Sequence, residues 1–200
     1  MIFEKYAMPL LKSGMKVLEV GVGKRYWKSP YRKQVKERGW DYRFCDFGNF
    51  GSDESDFVRQ DGEYGIAAGA EFDAVISQQT LEHVRKPWIW VKVLAGLLKP
   101  GGLLVLVAPL TWVPHKNPWD SFRILPDGMR SLLEEAGLDT VVVKAEHLGQ
   151  TPEEQKCQWG GVAVMDVIGI GRKPRDNNAD YQEALAGFGA SLRSRYQSHP

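Results

Sequence analysis

Short apolar runs alternate along this chain with stretches whose apolar residues recur every three or four positions. That is the pattern of a mostly parallel sheet covered on both faces by helices. Ile2 to Leu11 has helical spacing, interrupted by Pro9 and stopped near Gly14. Lys16 to Val20 is a β-rich apolar run ending at Gly21 and reads as the first strand. Ser29-Pro30 opens a helix, with Ser as its cap and Pro in its first turn, and Gly39 closes it after Arg38. Tyr42 to Cys45 is the second strand, Phe57 to Gln60 a weak third and Phe72 to Ser77 the fourth. Thr80 starts a helical pattern that places Leu81, Val84, Trp88 and Val91 near one face, although Pro87 inside it is an alternative start. The pattern closes at Lys99-Pro100-Gly101-Gly102, and Leu103 to Ala108 follows as a buried fifth strand. Pro126 to Ala136 is a further helix stopped by Gly137, and Thr140 to Ala145 and Val162 to Ile170 are the last two strands.

No helical pattern separates those last two strands, so a right-handed parallel crossover is awkward and an antiparallel pair at the sheet edge is expected. The fold class is therefore α/β, a doubly wound and mostly parallel seven-stranded sheet with an antiparallel edge strand. One domain is expected over residues 1–172. Residues 173–200 are polar apart from a short helical pattern at Tyr181 to Phe188, and read as a tail or a lid.

Composition changes this picture little. The chain has 200 residues, 43% of them hydrophobic and 26% charged, enough for one sizeable core. A formal charge of +1 gives no reason to expect a nucleic-acid partner. The N-terminus lacks the pattern of a secretory signal, and the longest apolar run, Leu103 to Leu110, is too short to span a bilayer. Cys45 and Cys157 stand in no metal-ligand spacing and read as small hydrophobes in a reducing compartment, so a cytoplasmic location is expected. Seven tryptophans are material for pocket walls as well as for the core.

Val17-Leu18-Glu19-Val20-Gly21-Val22-Gly23 runs a strand into a glycine turn, which lets a ligand approach the backbone at the carboxyl end of a central strand. A dinucleotide fingerprint needs a third glycine where this chain has Tyr26, so an NAD-dependent oxidoreductase is a weaker reading. The stretch resembles motif I of class I S-adenosylmethionine-dependent methyltransferases, and the later segments resemble that family in order. Phe72-Asp73-Ala74-Val75-Ile76-Ser77 is similar to its fourth strand, Gln79-Thr80-Leu81-Glu82-His83-Val84 to the continuation, and Leu98-Lys99-Pro100-Gly101-Gly102 to its turn before the fifth strand.

The resemblance covers about Lys16 to Gly171 and implies a Rossmann-like fold with S-adenosyl-L-methionine as cofactor. It assigns Glu19 to the methionine amino group, Gly21 and Gly23 to the ligand-facing turn, Asp46 to the ribose hydroxyls, and Asp61, with Gly62, to the adenine side. Gln78, at the end of the fourth strand, joins this cofactor set. Lys24 to Lys28 departs from the pattern by inserting a basic, aromatic stretch, so the methionine carboxylate is open to Lys24 or Arg25. Asp53, Glu54 and Asp56 read as a solvated acidic loop.

Two segments resemble a subgroup of the family: Gly21-Val22-Gly23 followed by Ser29-Pro30-Tyr31-Arg32, and His115-Lys116-Asn117-Pro118-Trp119-Asp120-Ser121-Phe122-Arg123. That subgroup implies a small-molecule or glycan acceptor, a sugar or secondary-metabolite hydroxyl. His115, Trp119, Asp120 and Arg123 are then candidate acceptor-binding residues, with a structural Asp120–Arg123 salt bridge as the alternative. His115 and His83 are the candidate bases. No acidic cluster follows the fourth strand, so a metal-free reaction is expected. The Asn/Asp-Pro-Pro-aromatic tetrad of nucleic-acid amino methylation is absent, and neither cysteine occupies the position for attack on cytosine. A non-catalytic, cofactor-binding partner protein is the rival of another class. The acceptor, the oligomeric state and the choice between oxygen and nitrogen methylation are left open by the sequence.

Overall fold

The computed structural model describes residues 2–22, 37–46, 60–61, 64–66, 72–115, 119–147 and 164–175. Among them are helices α1 (Ile2–Tyr6), α2 (Pro87–Gly96) and α3 (Pro126–Glu135). The strands are β1 (Lys16–Val20), β2 (Asp41–Cys45), β3 (Gln60–Asp61), β4 (Gly65–Ile66), β5 (Phe72–Gln78), β6 (Leu98–Thr111), β7 (Asp139–His147) and β8 (Met165–Arg172). A six-stranded sheet has the order β2-β1-β5-β6-β8-β7. β2, β1, β5 and β6 run parallel, whereas β8 lies antiparallel to both β6 and β7. The expected antiparallel pair is thus at the sheet edge, with β7 outermost and β8 one position in.

Among the described residues the main sheet has six strands rather than the expected seven, and of the expected third strand, Phe57 to Gln60, only Gln60 is described. Gln60 and Asp61 pair antiparallel with Ile66 and Gly65 in a separate ribbon. The run Phe57 to Gln60 has only two apolar residues and so offers little surface to either face of a central sheet.

Alternate residues of the strands feed two cores. One face packs Leu18, Val75, Leu104, Leu106 and Val167 against Trp90, Val91 and Leu94 of α2 and Met129 and Leu133 of α3. The other sets Val17, Ile76, Val105 and Ile168 against Ile2, Phe3, Ala7 and Leu11 at the N-terminus. α1 stops at Tyr6, short of the expected Leu11, although Ala7, Met8 and Leu11 stay buried in the turns that follow. Residues 37–38 are helical and Gly39 has a φ of +61°, as the sequence predicts for the end of that helix.

Pro87 decides where α2 begins. Leu81–His83 forms a single 3₁₀ turn, Val84 is extended, and the helix starts with proline in its first turn. The break rotates the face expected from a continuous helix, so Trp88 is 48% exposed while Ile89 and Trp90 are buried. α3 ends as its sequence dictates: Gly137, at φ +73°, donates to Glu134, and Leu138 donates to Leu133. These two bonds make a Schellman cap.

The turn after Leu98 is held from the far strand. Gly101, at φ +80°, donates its N–H to the Lys173 carbonyl, Lys173 donates back to Gly102, and the Lys173 ammonium reaches the Leu98 carbonyl at 2.7 Å. A side chain at Gly102 would lie 2.9 Å from the Lys99 carbonyl oxygen and 3.0 Å from that of Phe72.

Candidate active site

The chain leaves β1 toward one side of the sheet and enters β5 on the other, so the crevice beyond β1 and β5 is a topological switch point, where doubly wound folds bind ligands. Glu19 sits near the end of β1, opposite Phe44 and Ile76, and is buried. Its carboxylate accepts the hydroxyl proton of Tyr42. Gly21 follows at φ +84° and donates to the Cys45 carbonyl at 2.9 Å. A Cβ on Gly21 would fall 2.1 Å from the Thr80 hydroxyl oxygen, so the glycine also admits a neighbouring side chain.

Asp46 stands just beyond β2, half-buried, beside the same turn. Cys45 is fully buried, and burial pushes its thiol up to about 12, as suits an inert hydrophobe. Asp61 lies in the small β3 ribbon. Gly23, Gly62, the basic stretch Lys24 to Lys28, the Asp53–Asp56 loop, Cys157 and the tail beyond residue 175 lie outside the described residues.

At the end of β5, the Ser77 hydroxyl and the Gln78 amide nitrogen are buried with no hydrogen-bond partner among the described residues. The next residue, Gln79, has φ +49°, a left-handed conformation that a side chain beyond Gly adopts at a cost. It donates its backbone N–H to Val107 at 2.9 Å and its side-chain amide to Asp166 at 2.8 Å. Asp166 is 4% exposed, and burial pushes its carboxyl up to about 6.

The acceptor candidates gather beside this point. His83 and His115 meet edge to face, with ring centroids 5.0 Å apart. His83 is bonded through Nδ1 to the Trp119 carbonyl, which makes Nδ1 the protonated nitrogen and leaves Nε2 facing Glu82 at 3.6 Å. Glu82 is 1% exposed, and burial pushes its carboxyl up to about 7. Its backbone carbonyl accepts from Ser121 at 2.8 Å and Phe122 at 3.3 Å, tying the segment that follows β6 to the 3₁₀ turn. The Trp119 ring is 46% exposed and lies under the Arg85 guanidinium, 4.3 Å from its centroid.

Asp120 and Arg123 pair with each other. The guanidinium also donates to the carbonyls of Trp112, Val113 and Phe122, and Asp120 accepts the backbone N–H of His115 at 2.8 Å. Arg123 holds the Asp120 carboxyl well below the usual carboxylate range. Glu82, His83 and His115 also bring donor atoms within 4.8 Å of one another, a gathering that no sequence spacing indicates.

Sequence reasoning gave no role to Tyr42, Gln79, Glu82 or Asp166. For Asp166 a signal exists, since it is the single charged residue within the apolar run Val162 to Ile170. Gln79 has none, because nothing in the chain marks a glutamine for a left-handed backbone.

A family model described as a methyltransferase domain matches residues 3–143. The chain belongs to that family. Among curated relatives, a ubiquinone biosynthesis O-methyltransferase of Cereibacter sphaeroides is 28% identical over 66% of this chain and 64% of its own length. One from Dinoroseobacter shibae is 31% identical over 44% of this chain and 42% of its own. The chain thus spans less than two thirds of these relatives' length.

Solved structures share the fold at low identity. A SAM-dependent methyltransferase from Archaeoglobus fulgidus superposes with a TM-score of 0.61 at 15% identity, over 86% of this chain and 92% of that one. The putative methyltransferase complexed with the Haloferax volcanii activator Trm112 scores 0.59 at 16%, over 82% and 84%. The [4+2]-cyclase SpnF scores 0.62 at 15%, over 88% and 79%. This methyltransferase-domain protein therefore has the Rossmann-like fold of S-adenosylmethionine-dependent methyltransferases. No helix among the described residues is long and apolar enough to cross a membrane.

Proposed function

We propose that this protein transfers the methyl group of S-adenosyl-L-methionine to a hydroxyl of a small-molecule acceptor, a sugar or secondary metabolite, without a metal. The observation that carries the reading is the pair of imidazoles, His83 and His115, beside the crevice that the family uses for its cofactor. The cofactor fits the residues present. Glu19 closes the end of β1, Gly21 turns the backbone across the crevice, Gln78 and Ser77 offer buried polar atoms without a partner among the described residues, and the half-buried Asp46 carboxylate is suited to two ribose hydroxyls. Asp61, Gly23 and Gly62 complete this set by the family resemblance.

When bound, the sulfonium supplies an electrophilic methyl carbon. Transfer of that methyl would depend mostly on how the protein positions the acceptor hydroxyl. His115 takes the hydroxyl proton as the carbon–oxygen bond forms. His83 is the next base in reach, and the Trp119 ring is a wall for the acceptor's apolar face. Asp120 and Arg123 serve the acceptor by holding the backbone of His115 in place.

O-methylation also agrees with the curated relatives, which are ubiquinone biosynthesis O-methyltransferases. The rival reading is a cofactor-binding protein without methyl transfer, and a fold shared with a cyclase and with an activator-bound protein keeps it in view. The experiment is S-adenosylhomocysteine release with a panel of hydroxyl acceptors. Release in wild type that falls at least tenfold in His115→Ala, about 1.4 kcal/mol, supports the proposal when cofactor affinity is unchanged. Cofactor binding with no release from any acceptor supports the rival.

A further inference from the structure

Two buried carboxyls stand at the crevice rim, and each keeps an oxygen that no group among the described residues engages: Oε2 of Glu82 and Oδ1 of Asp166. The Asp166 charge adds a small disfavour to that of Glu82, beyond the larger cost of burial. Arg123, whose charge reaches Glu82, is spent on Asp120 and three backbone carbonyls. Asp166 is in addition held by a device that costs energy. Gln79 takes a left-handed backbone at the end of β5 while its amide fixes Oδ2 of Asp166. Asp166 faces Pro109 across β6 and Glu146 across β7, but Glu146 accepts from Lys5 and Tyr6 and offers it no proton.

A buried acceptor atom left unpaired costs about 1–3 kcal/mol, and strained backbone persists where function or surrounding structure demands it. The ligand that relieves this arrangement must bring hydrogen-bond donors and no negative charge. We propose that Asp166, positioned by Gln79, is a specificity-determining residue whose free oxygen takes a second, non-reacting hydroxyl of an uncharged polyhydroxyl acceptor. This rests on the reading that the crevice methylates a hydroxyl, and it excludes carboxylated and phosphorylated acceptors from the inner site.

The test pairs each vicinal diol (methyl glucoside, methyl rhamnoside, catechol) with its counterpart lacking one hydroxyl. Turnover is read as S-adenosylhomocysteine release, and binding by calorimetry on the S-adenosylhomocysteine-loaded protein. Wild type should prefer at least one diol over its partner by tenfold or more. Asp166→Asn should abolish that preference by raising KM for the diol, with kcat and cofactor affinity within about twofold of wild type. Gln79→Gly relieves the left-handed strain and removes the amide, so it should fold normally and lose the same preference.

Diol preference that survives both substitutions overturns the assignment to Asp166 and leaves the methyl-transfer reading intact. So does equal use, or equal binding, of each diol and its partner by wild type. Release with amines and with no hydroxyl compound overturns both.

Discussion

Asp120 grips Arg123 with both carboxylate oxygens, Oδ1 on Nη1 and Oδ2 on Nη2, the latter at 2.7 Å. The same carboxylate accepts the backbone N–H of His115 at 2.8 Å, so one ion pair fixes the segment that presents the candidate base. Such a fork is planar and directional, which a Lys in place of Arg123 would not reproduce.

Asp120→Ala should destabilise the fold by about 3 kcal/mol, because it leaves a partly buried guanidinium unpaired. Asp120→Ala/Arg123→Ala together should cost less than the sum of the two single changes. A double-mutant cycle in denaturant checks this, and strict additivity would show that the pair is not coupled. The pair also has a pH signature. A carboxyl depressed in the folded state contributes stability that is present above its ordinary value of 3.8 and lost as pH falls toward the depressed one. Acid unfolding of wild type should therefore be steeper below pH 4 than that of Asp120→Asn.

Glu82 has the opposite sign. Its folded value of about 7 lies above the ordinary 4.5, so its contribution is complete below 4.5 and is lost as pH rises through 7. Between those limits stability should fall with a slope of about 1 kcal/mol per pH unit, and Glu82→Gln should flatten it. An unchanged slope in the variant would assign the effect to another group.

Gly21→Ala should cost about 2–4 kcal/mol, combining left-handed strain with a collision at Thr80. Thr80→Gly in the same background should recover the collision part and leave the strain. Full recovery would mean that the backbone conformation is not the constraint. Asp46→Ala, by contrast, should leave stability near wild type and weaken S-adenosylhomocysteine binding by about 1–3 kcal/mol in calorimetry.

Methyl transfer should survive EDTA. Glu82, His83 and His115 bring donor atoms within 4.8 Å, yet His83 is already bonded to the Trp119 carbonyl and His115 stands beside Asp120. Loss of turnover on chelation, restored by a divalent cation, would reassign these three residues to metal binding.

Much of the sheet is legible because β1, β6 and β8 carry nearly continuous apolar runs, β1 being closed by Gly21, and α3 because proline opens it and Gly137 caps it. Gln60 pairs in a separate ribbon, a partner that a run with two apolar residues does not specify. On the site, the order of motifs points to Glu19, Gly21 and Asp46, and the segment after β6 to His115 and its partners. The rest is a matter of three-dimensional meeting. Glu82 joins the histidines through a 3₁₀ turn that the helical spacing disguises, and Gln79 and Asp166 are 87 residues apart.

The glycines of β8 have a reach beyond their own strand. A Cβ on Gly169 would sit 2.4 Å from Met129, and one on Gly171 2.9 Å from Leu138, so α3 rests directly on bare backbone. That helix begins two residues after Ile124, whose N–H is anchored on the Pro109 carbonyl at 3.2 Å. Any bulk added beneath α3 lifts the helix and pulls on the segment from Trp119 to Arg123. The thickness of the layer between α3 and the sheet therefore sets the height of the segment that follows β6, and a methyl group placed there should be felt at Trp119, whose carbonyl holds the His83 ring.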